Sequence, residues 1–140
     1  MNRIIAAAAF AAALALAGPA LASPIDGLWR SPDENAVVQI YDCDGAVCGK
    51  LLDSDRIKAN PDVADVKNHA PGLQTQTLKG LVLLKGFTGG PTEWKEGSVY
   101  NPNDGGTYHG TIQRMDPDTL KLTGCIIVPL CKTEVWKRVK

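Results

Sequence analysis

Two segments at opposite ends of the chain each contain an indole and a guanidinium. We interpret Gly27-Leu28-Trp29-Arg30 and Val135-Trp136-Lys137-Arg138 as the first and last strands of one antiparallel sheet. If these strands pair, each brings its indole and guanidinium to a common seam, and the sheet closes into a barrel without free edges. An arginine over an indole adds a cation–π contact of about 0.5–2 kcal/mol. We assign that role, which is structural, to Arg138 over Trp29.

Short runs of β-branched and aromatic residues, bounded by Gly, Pro, Asn and Asp, recur along the chain, and no segment shows a convincing helical period. Several runs alternate, as in Leu120-Lys121-Leu122-Thr123, which is typical of strands with one buried face. The pattern predicts an all-β fold, an eight-stranded antiparallel up-and-down barrel. Its strands are predicted near residues 26–31, 36–43, 47–53, 80–87, 94–101, 106–115, 119–126 and 132–139.

The first 22 residues have the composition of a secretory signal peptide. A basic start containing Arg3 precedes an alanine-rich apolar run, and small residues surround a cleavage point after Ala22. The apolar run is too short to span a bilayer comfortably, so a retained membrane anchor is disfavoured. We therefore predict a signal peptide over 1–22 and one domain over 23–140, with no integral membrane segment after cleavage.

The four cysteines all lie in the exported part of the chain, where disulfides can form. Four cysteines allow three connectivities. The local pairs Cys43–Cys48 and Cys125–Cys131 are favoured, because each flanks a predicted turn and cross-strand neighbours are within reach of a disulfide. Zinc binding is disfavoured, because the spacing is not that of a zinc motif. These features predict a periplasmic or secreted protein.

Charge and motifs exclude several classes of function. The chain has 15 basic and 15 acidic residues, a balance that argues against a nucleic-acid partner held by electrostatics. Neither a phosphate-binding loop nor a nucleophile elbow occurs, so we predict no cofactor and no catalytic residue. The two histidines, His69 and His109, lie in no metal-binding motif, and we predict no metal site.

An eight-stranded barrel has an interior that is either filled by side chains or able to hold one small ligand. Tyr41, Tyr100 and Tyr108 are the candidates for lining such a cavity, because each offers an apolar ring and one hydroxyl. The alternative is that these rings fill the core. The long polar segment 53–79 is predicted either to cross one mouth of the barrel or to pack against its outside.

The chain resembles the lipocalin-like barrels, in which a G-x-W on the first strand meets an arginine from the end of the barrel. A longer series of motifs is similar to the bacterial exported family of domain of unknown function 2147. The series comprises Gly27-Leu28-Trp29, Ile40-Tyr41-x-Cys43, Asn60-Pro61-Asp62, Leu84-x-Gly86-Phe87, Val99-Tyr100-Asn101-Pro102, Leu122-x-Gly124-Cys125 and Trp136-x-Arg138. The resemblance covers essentially the whole mature chain and implies a fold and a compartment rather than a reaction.

These observations predict a non-enzymatic binding protein that takes a small apolar or amphipathic ligand, such as a fatty acid or another lipid-like molecule, into the barrel. A different function is a structural or interaction module of the cell envelope, with a filled barrel and a protein partner that contacts segment 53–79. An enzyme with residues gathered from the loops is the least favoured, because the sequence supplies no nucleophile, base and oxyanion donors.

Overall fold

The computed structural model of the protein describes residue 11 and residues 22–140. The predicted signal peptide therefore lies almost entirely outside the described residues. These residues form eight strands, one short α-helix, α1 (Asp55–Ala59), and two single-turn 3-10 helices, Asp33–Asn35 and Pro71–Leu73. The strands are β1 (Gly27–Arg30), β2 (Val37–Cys43), β3 (Ala46–Asp53), β4 (Val82–Gly89), β5 (Glu93–Asn101), β6 (Gly106–Asp116), β7 (Thr119–Ile127) and β8 (Leu130–Arg138). In this part of the chain, no helix is long and apolar enough to cross a membrane.

The strands form one closed antiparallel barrel in chain order, β1 to β8. The barrel closes where Trp29 of β1 pairs with Arg138 of β8, and Arg30 with Lys137. The predicted eight-stranded up-and-down barrel is therefore confirmed, and every predicted strand overlaps its observed counterpart.

The up-and-down order gives the barrel two different ends. The β1–β2, β3–β4, β5–β6 and β7–β8 connections lie at one end, which we call the open end. The other three connections lie at the opposite, closed end, where the chain also enters β1 and leaves β8. Segment 53–79 belongs to the β3–β4 connection and therefore lies at the open end.

The interior near the closed end is filled by side chains. Phe87 is fully buried, and its ring lies directly against two glycines on neighbouring strands, Gly97 and Gly110. A Cβ atom at Gly110 would lie 2.7 Å from Phe87 Cζ, so only glycine leaves room for the ring. The same region buries Ile40 and Trp94. The Phe87 ring, with the space that the two glycines leave for it, thus fills this half of the barrel.

Arg138 connects the last strand to the start of the chain. Its guanidinium lies 4.4 Å from the centre of the ring of Trp29, which is fully buried. The same guanidinium donates to three carbonyl oxygens, those of Pro24 at 2.9 Å, Asp26 at 3.0 Å and Pro117 at 3.0 Å. These contacts seal the closed end of the barrel.

The other residues assigned to this seam have different surroundings. Gly27 has φ +126°, and a Cβ atom there would lie 3.0 Å from Arg138 Nη1, so glycine suits both the backbone and the guanidinium. Trp136 is buried and its Nε1 donates to Glu134 Oε2 at 2.9 Å. Arg30 pairs with Lys137 across the seam, as expected, but its Nη1 donates to the carbonyl oxygen of Asn35 in the β1–β2 connection at 3.3 Å, so its guanidinium does not join Arg138 over Trp29. Alternation along β1 turns Arg30 outward, and the residue is exposed.

Two disulfides are present, Cys43–Cys48 and Cys125–Cys131. The first joins β2 to β3 beside their turn at the closed end. The second joins β7 to β8 beside their connection at the open end. Two disulfides in one small domain indicate an oxidising environment.

Candidate ligand-binding cavity

The half of the barrel near the open end contains a cavity of about 540 Å³. The surface of its wall is mainly apolar, and the aliphatic side chains in it include Val38, Leu51, Leu84, Val99, Leu122 and Ile126. Gly124 also lies in the wall, where a side chain would otherwise project inward beside Tyr108. The barrel is therefore filled at its closed end and hollow at its open end, and the filled interior required by the interaction-module hypothesis is not observed.

Polar side chains from three connections meet at the rim of the cavity. Arg56 of α1 contacts Glu34 of the β1–β2 connection, with Nε 3.1 Å from Oε2. Arg56 Nη2 donates to Asn103 Oδ1 at 2.7 Å, and Asn103 Nδ2 donates to Asp33 Oδ2 at 2.8 Å. This network holds α1 and the β5–β6 connection against the β1–β2 connection.

A carboxylate also lies inside the cavity. Glu134 of β8 is on the inner face, because it is two residues before the buried Trp136. Its Oε2 accepts hydrogen bonds from Ser31 Oγ at 3.0 Å and from Trp136 Nε1 at 2.9 Å. Two donors therefore fix the orientation of this carboxylate.

The three tyrosines that we predicted to line the cavity lie in three different environments. Tyr108 is on the inner face of β6 and lines the cavity, and its hydroxyl donates to Asp104. This hydrogen bond raises the pKa of the Tyr108 hydroxyl above its usual value. Tyr41 does not line the cavity. The alternation that puts Ile40 inside turns Tyr41 outward, where Lys50 Nζ lies 5.4 Å from its ring centre.

Tyr100 reaches the rim of the cavity, but its hydroxyl has a structural partner. It donates to the carboxylate of Asp65, at 2.7 Å from Oδ1 and 2.8 Å from Oδ2. Asp65 is only 1% exposed and also accepts from Asn68 Nδ2 and Gln76 Nε2. Burial, followed by the hydrogen bond to Asp65, raises the pKa of Tyr100 to about 12.

Segment 53–79, which includes Asp65, contacts two different parts of the barrel. Its first part, with Ser54 and Arg56, borders the mouth of the cavity. A later part borders a second cavity, of about 500 Å³, together with outward residues of β4 to β6 such as Lys85 and Ser98. The first part of the segment therefore borders the mouth, and a later part packs against the outside of the barrel.

The aliphatic wall continues onto an exposed hairpin tip. Ile126, Pro129 and Leu130 line the mouth, and the adjoining Val128 is 84% exposed. The Cys125–Cys131 disulfide closes the base of this apolar tip. The open end thus presents an apolar surface beside its polar rim.

Neither histidine lines the cavity of about 540 Å³, and His69 borders the second cavity. His69 Nε2 is 3.2 Å from the carbonyl oxygen of Asp104, and His109 is exposed on the outer face of β6. Among residues 22–140, no group of three or more His, Cys, Asp or Glu side chains is arranged to hold a metal ion.

Sequence reasoning did not identify Glu134, Asp65, Arg56 or Asn103 as site residues. Glu134 had a usable signal, since counting back two residues from an inward Trp136 places it inside the barrel. Asp65 had none, because its partner Tyr100 is 35 residues away and its own segment has no periodicity. The contacts of Arg56 likewise join distant connections, as its bond to Asn103 does.

A small closed eight-stranded antiparallel barrel with a cavity at one end defines a lipocalin-like class of protein. Within that class, the chain belongs to the family described as an uncharacterized protein conserved in bacteria (DUF2147), which matches residues 27–138. The family resemblance inferred from the motifs is therefore confirmed.

Among solved structures, the chain is similar to protein HP1028 from the human pathogen Helicobacter pylori, which is described as belonging to the lipocalin family. The TM-score is 0.74 with 22% sequence identity, over 82% of each chain. At this identity the similarity concerns the fold. No functionally curated protein matches the chain.

Proposed function

We propose that this protein is a non-catalytic binding protein that takes one small apolar or amphipathic, lipid-like molecule into the open half of its barrel. The observation that carries the proposal is the cavity of about 540 Å³ with its aliphatic wall. Ligand sites in proteins commonly measure about 300–1,000 Å³ and are mostly apolar with a few polar groups. Burial of the ligand's apolar surface supplies the main favourable free energy of binding.

The arrangement of polar groups supports binding rather than catalysis. Two serines line the cavity, and both have structural partners. Ser31 Oγ donates to Glu134, and Ser54 Oγ accepts from the N–H of Ile57 at the start of α1. All four cysteines are in disulfides. The four thiols are therefore unavailable as nucleophiles, and both serine side chains are engaged in hydrogen bonds within the fold.

We place the protein in the periplasm or the secreted space, with residues 23–140 as the mature domain. Two features support this location, namely the predicted signal peptide over 1–22 and the two disulfides. An exported carrier would meet lipid-like molecules in that compartment.

Binding of an uncharged, environment-sensitive naphthylamine probe tests the proposal. Gly124 lies in the cavity wall, where its Cβ would be in ordinary contact, 3.5 Å from Tyr108 Cβ. The substitution Gly124→Leu therefore places a side chain in part of the cavity and should weaken probe binding about tenfold or more, equivalent to about 1.4 kcal/mol. The neighbouring Thr123 is on the outer face, where its hydroxyl meets that of Thr133.

The matched control is Thr123→Leu, which adds the same side chain outside the barrel and should leave the affinity within about twofold. The proposal is wrong if the unsubstituted protein gives no saturable probe signal. It is also wrong if Gly124→Leu and Thr123→Leu bind the probe equally well.

A further inference from the structure

Strand β8 departs from the usual polarity of a barrel strand at two neighbouring positions, Glu134 and Val135. Its inner face carries Glu134, whose side chain is 20% exposed, whereas Val135 on the outer face is 49% exposed. The outer assignment is independently supported by the hydrogen-bonded pair Thr123 and Thr133. Barrel strands are normally stabilised by apolar side chains inside and polar side chains outside, and Glu134 and Val135 have the opposite arrangement. Such exceptions concentrate at functional sites.

The two oxygens of Glu134 have unequal surroundings. Oε2 accepts hydrogen bonds from Ser31 and Trp136. Oε1 forms an ion pair with Lys132, whose Nζ lies 3.8 Å away, and accepts no hydrogen bond from residues 22–140. The Lys132 side chain is itself 72% exposed at the mouth. The carboxylate is therefore fixed through Oε2, and Oε1 keeps hydrogen-bonding capacity for a ligand that displaces the exposed Lys132 ammonium.

The charged side chains around the cavity are also predominantly negative. Four carboxylates line it, against two cations. The carboxylates are those of Asp33, Glu34, Asp104 and Glu134, and the cations are Arg56 and Lys132. Arg56 already uses Nε on Glu34 and Nη2 on Asn103. The cavity consequently presents excess negative charge to whatever enters it.

We infer that the ligand is a cationic amphiphile, a protonated amine on an apolar body, whose N–H group donates to Glu134 Oε1. This inference rests on the proposed function. The aliphatic wall holds the apolar body, and the rings of Trp136 and Tyr108, which line the same cavity, can add cation–π attraction. A fatty-acid carboxylate would instead meet carboxylates of like charge, which disfavours it.

Displacement of the uncharged naphthylamine probe at neutral pH tests the inference with three ligands of equal chain length. These are dodecylamine, dodecanoate and dodecanol, each below its aggregation concentration. An alkylamine is protonated at this pH, since its pKa is close to the value of about 10.4 for lysine. We expect dodecylamine to bind at least about tenfold more tightly than dodecanoate.

Two variants assign the preference to Glu134. Glu134→Gln should weaken the binding of dodecylamine about tenfold and leave the affinity for dodecanol unchanged, because the substitution removes only the negative charge. Lys132→Gln should strengthen dodecylamine binding a few-fold, because it removes the ammonium that competes for Glu134. Lys132 is exposed, so this variant tests the inference even if Glu134→Gln fails to fold. Glu93→Gln is the control, since Glu93 lies on β5 near the closed end and outside the cavity lining.

The outcomes separate the two proposals. Dodecanoate binding as tightly as dodecylamine, or dodecylamine binding that neither variant changes, would overturn the cationic-ligand inference and leave the binding function standing. Failure of all three ligands and of the probe itself would overturn the binding function, and the inference with it.

Discussion

The guanidinium of Arg138 lies 4.4 Å from the ring centre of Trp29 and donates to three backbone carbonyl oxygens around the closed end. Because these carbonyls belong to the segment before β1 and to the β6–β7 turn, one side chain fixes the chain entry, the first strand and a distant turn together. The barrel is thus closed by side-chain contacts as well as by strand pairing.

Replacement of Trp29 should strongly destabilise the barrel. The indole is fully buried, and its Nε1 donates to the carbonyl oxygen of Ile25 at 2.8 Å. We expect Trp29→Ala to lower the free energy of unfolding by about 3–5 kcal/mol, measured by urea denaturation. Leu28→Ala, at the neighbouring outward position, should cost much less and serves as the control. An unchanged unfolding midpoint for Trp29→Ala would contradict the seam.

The geometry of Arg138 should matter beyond its charge. Arg138→Lys keeps the positive charge but loses the planar fork that reaches the carbonyls of Pro24, Asp26 and Pro117. We expect a loss of about 1–3 kcal/mol in thermal or chemical unfolding, equivalent to one or two charged hydrogen bonds. Equal stability of Arg138→Lys and the unsubstituted protein would show that charge alone suffices.

The two halves of the barrel should respond differently to an added methyl group. Gly110→Ala would place a Cβ atom 2.7 Å from Phe87 Cζ, so we expect it to cost about 1–3 kcal/mol through overpacking. Gly124→Ala places its methyl group in the hollow half and should change stability little. Equal effects of the two substitutions on the free energy of unfolding would contradict the description of one filled and one hollow half.

Tyr100 should couple stability to alkaline pH. Its pKa is raised from 10.0 to about 12, mainly by burial and then by Asp65. The neutral hydroxyl is therefore favoured in the folded state, so its contribution is complete below pH 10 and is lost as the pH rises through about 12. Tyr100→Phe should weaken the pH dependence of stability in that window.

Tyrosinate absorbance measures this directly. The step near pH 12 should disappear in Tyr100→Phe. Asp65→Asn should shift it only part of the way toward the usual value, because burial remains the larger cause. Persistence of the highest step in Tyr100→Phe would show that another tyrosine is responsible.

The sequence predicted the parts of the structure that depend on neighbouring residues. Alternation identified the strands, and the turns beside Cys43–Cys48 and Cys125–Cys131 identified both disulfides. The occurrence of an indole and a guanidinium in both terminal strands identified the closing pair, Trp29 and Arg138, which lie opposite each other in the strand register. Each of these features leaves a local signature in composition or spacing.

The site was harder to predict, because it depends on which face each side chain occupies and on contacts between distant connections. Tyr41 was chosen for its chemistry, although its position next to the inward Ile40 already placed it outside. Glu134 was missed because a charged residue is normally assigned to solvent. Asp65 and its contact with Tyr100 join segments with no shared pattern.

Native mass spectrometry of the protein purified from the periplasm of an exporting host, followed by extraction of any released molecule, tests directly whether the cavity holds a ligand. We predict a stoichiometric adduct that amphipathic competitors displace, and whose extracted component is a small apolar or amphipathic molecule. An empty protein that also fails to bind the environment-sensitive probe would contradict the binding function.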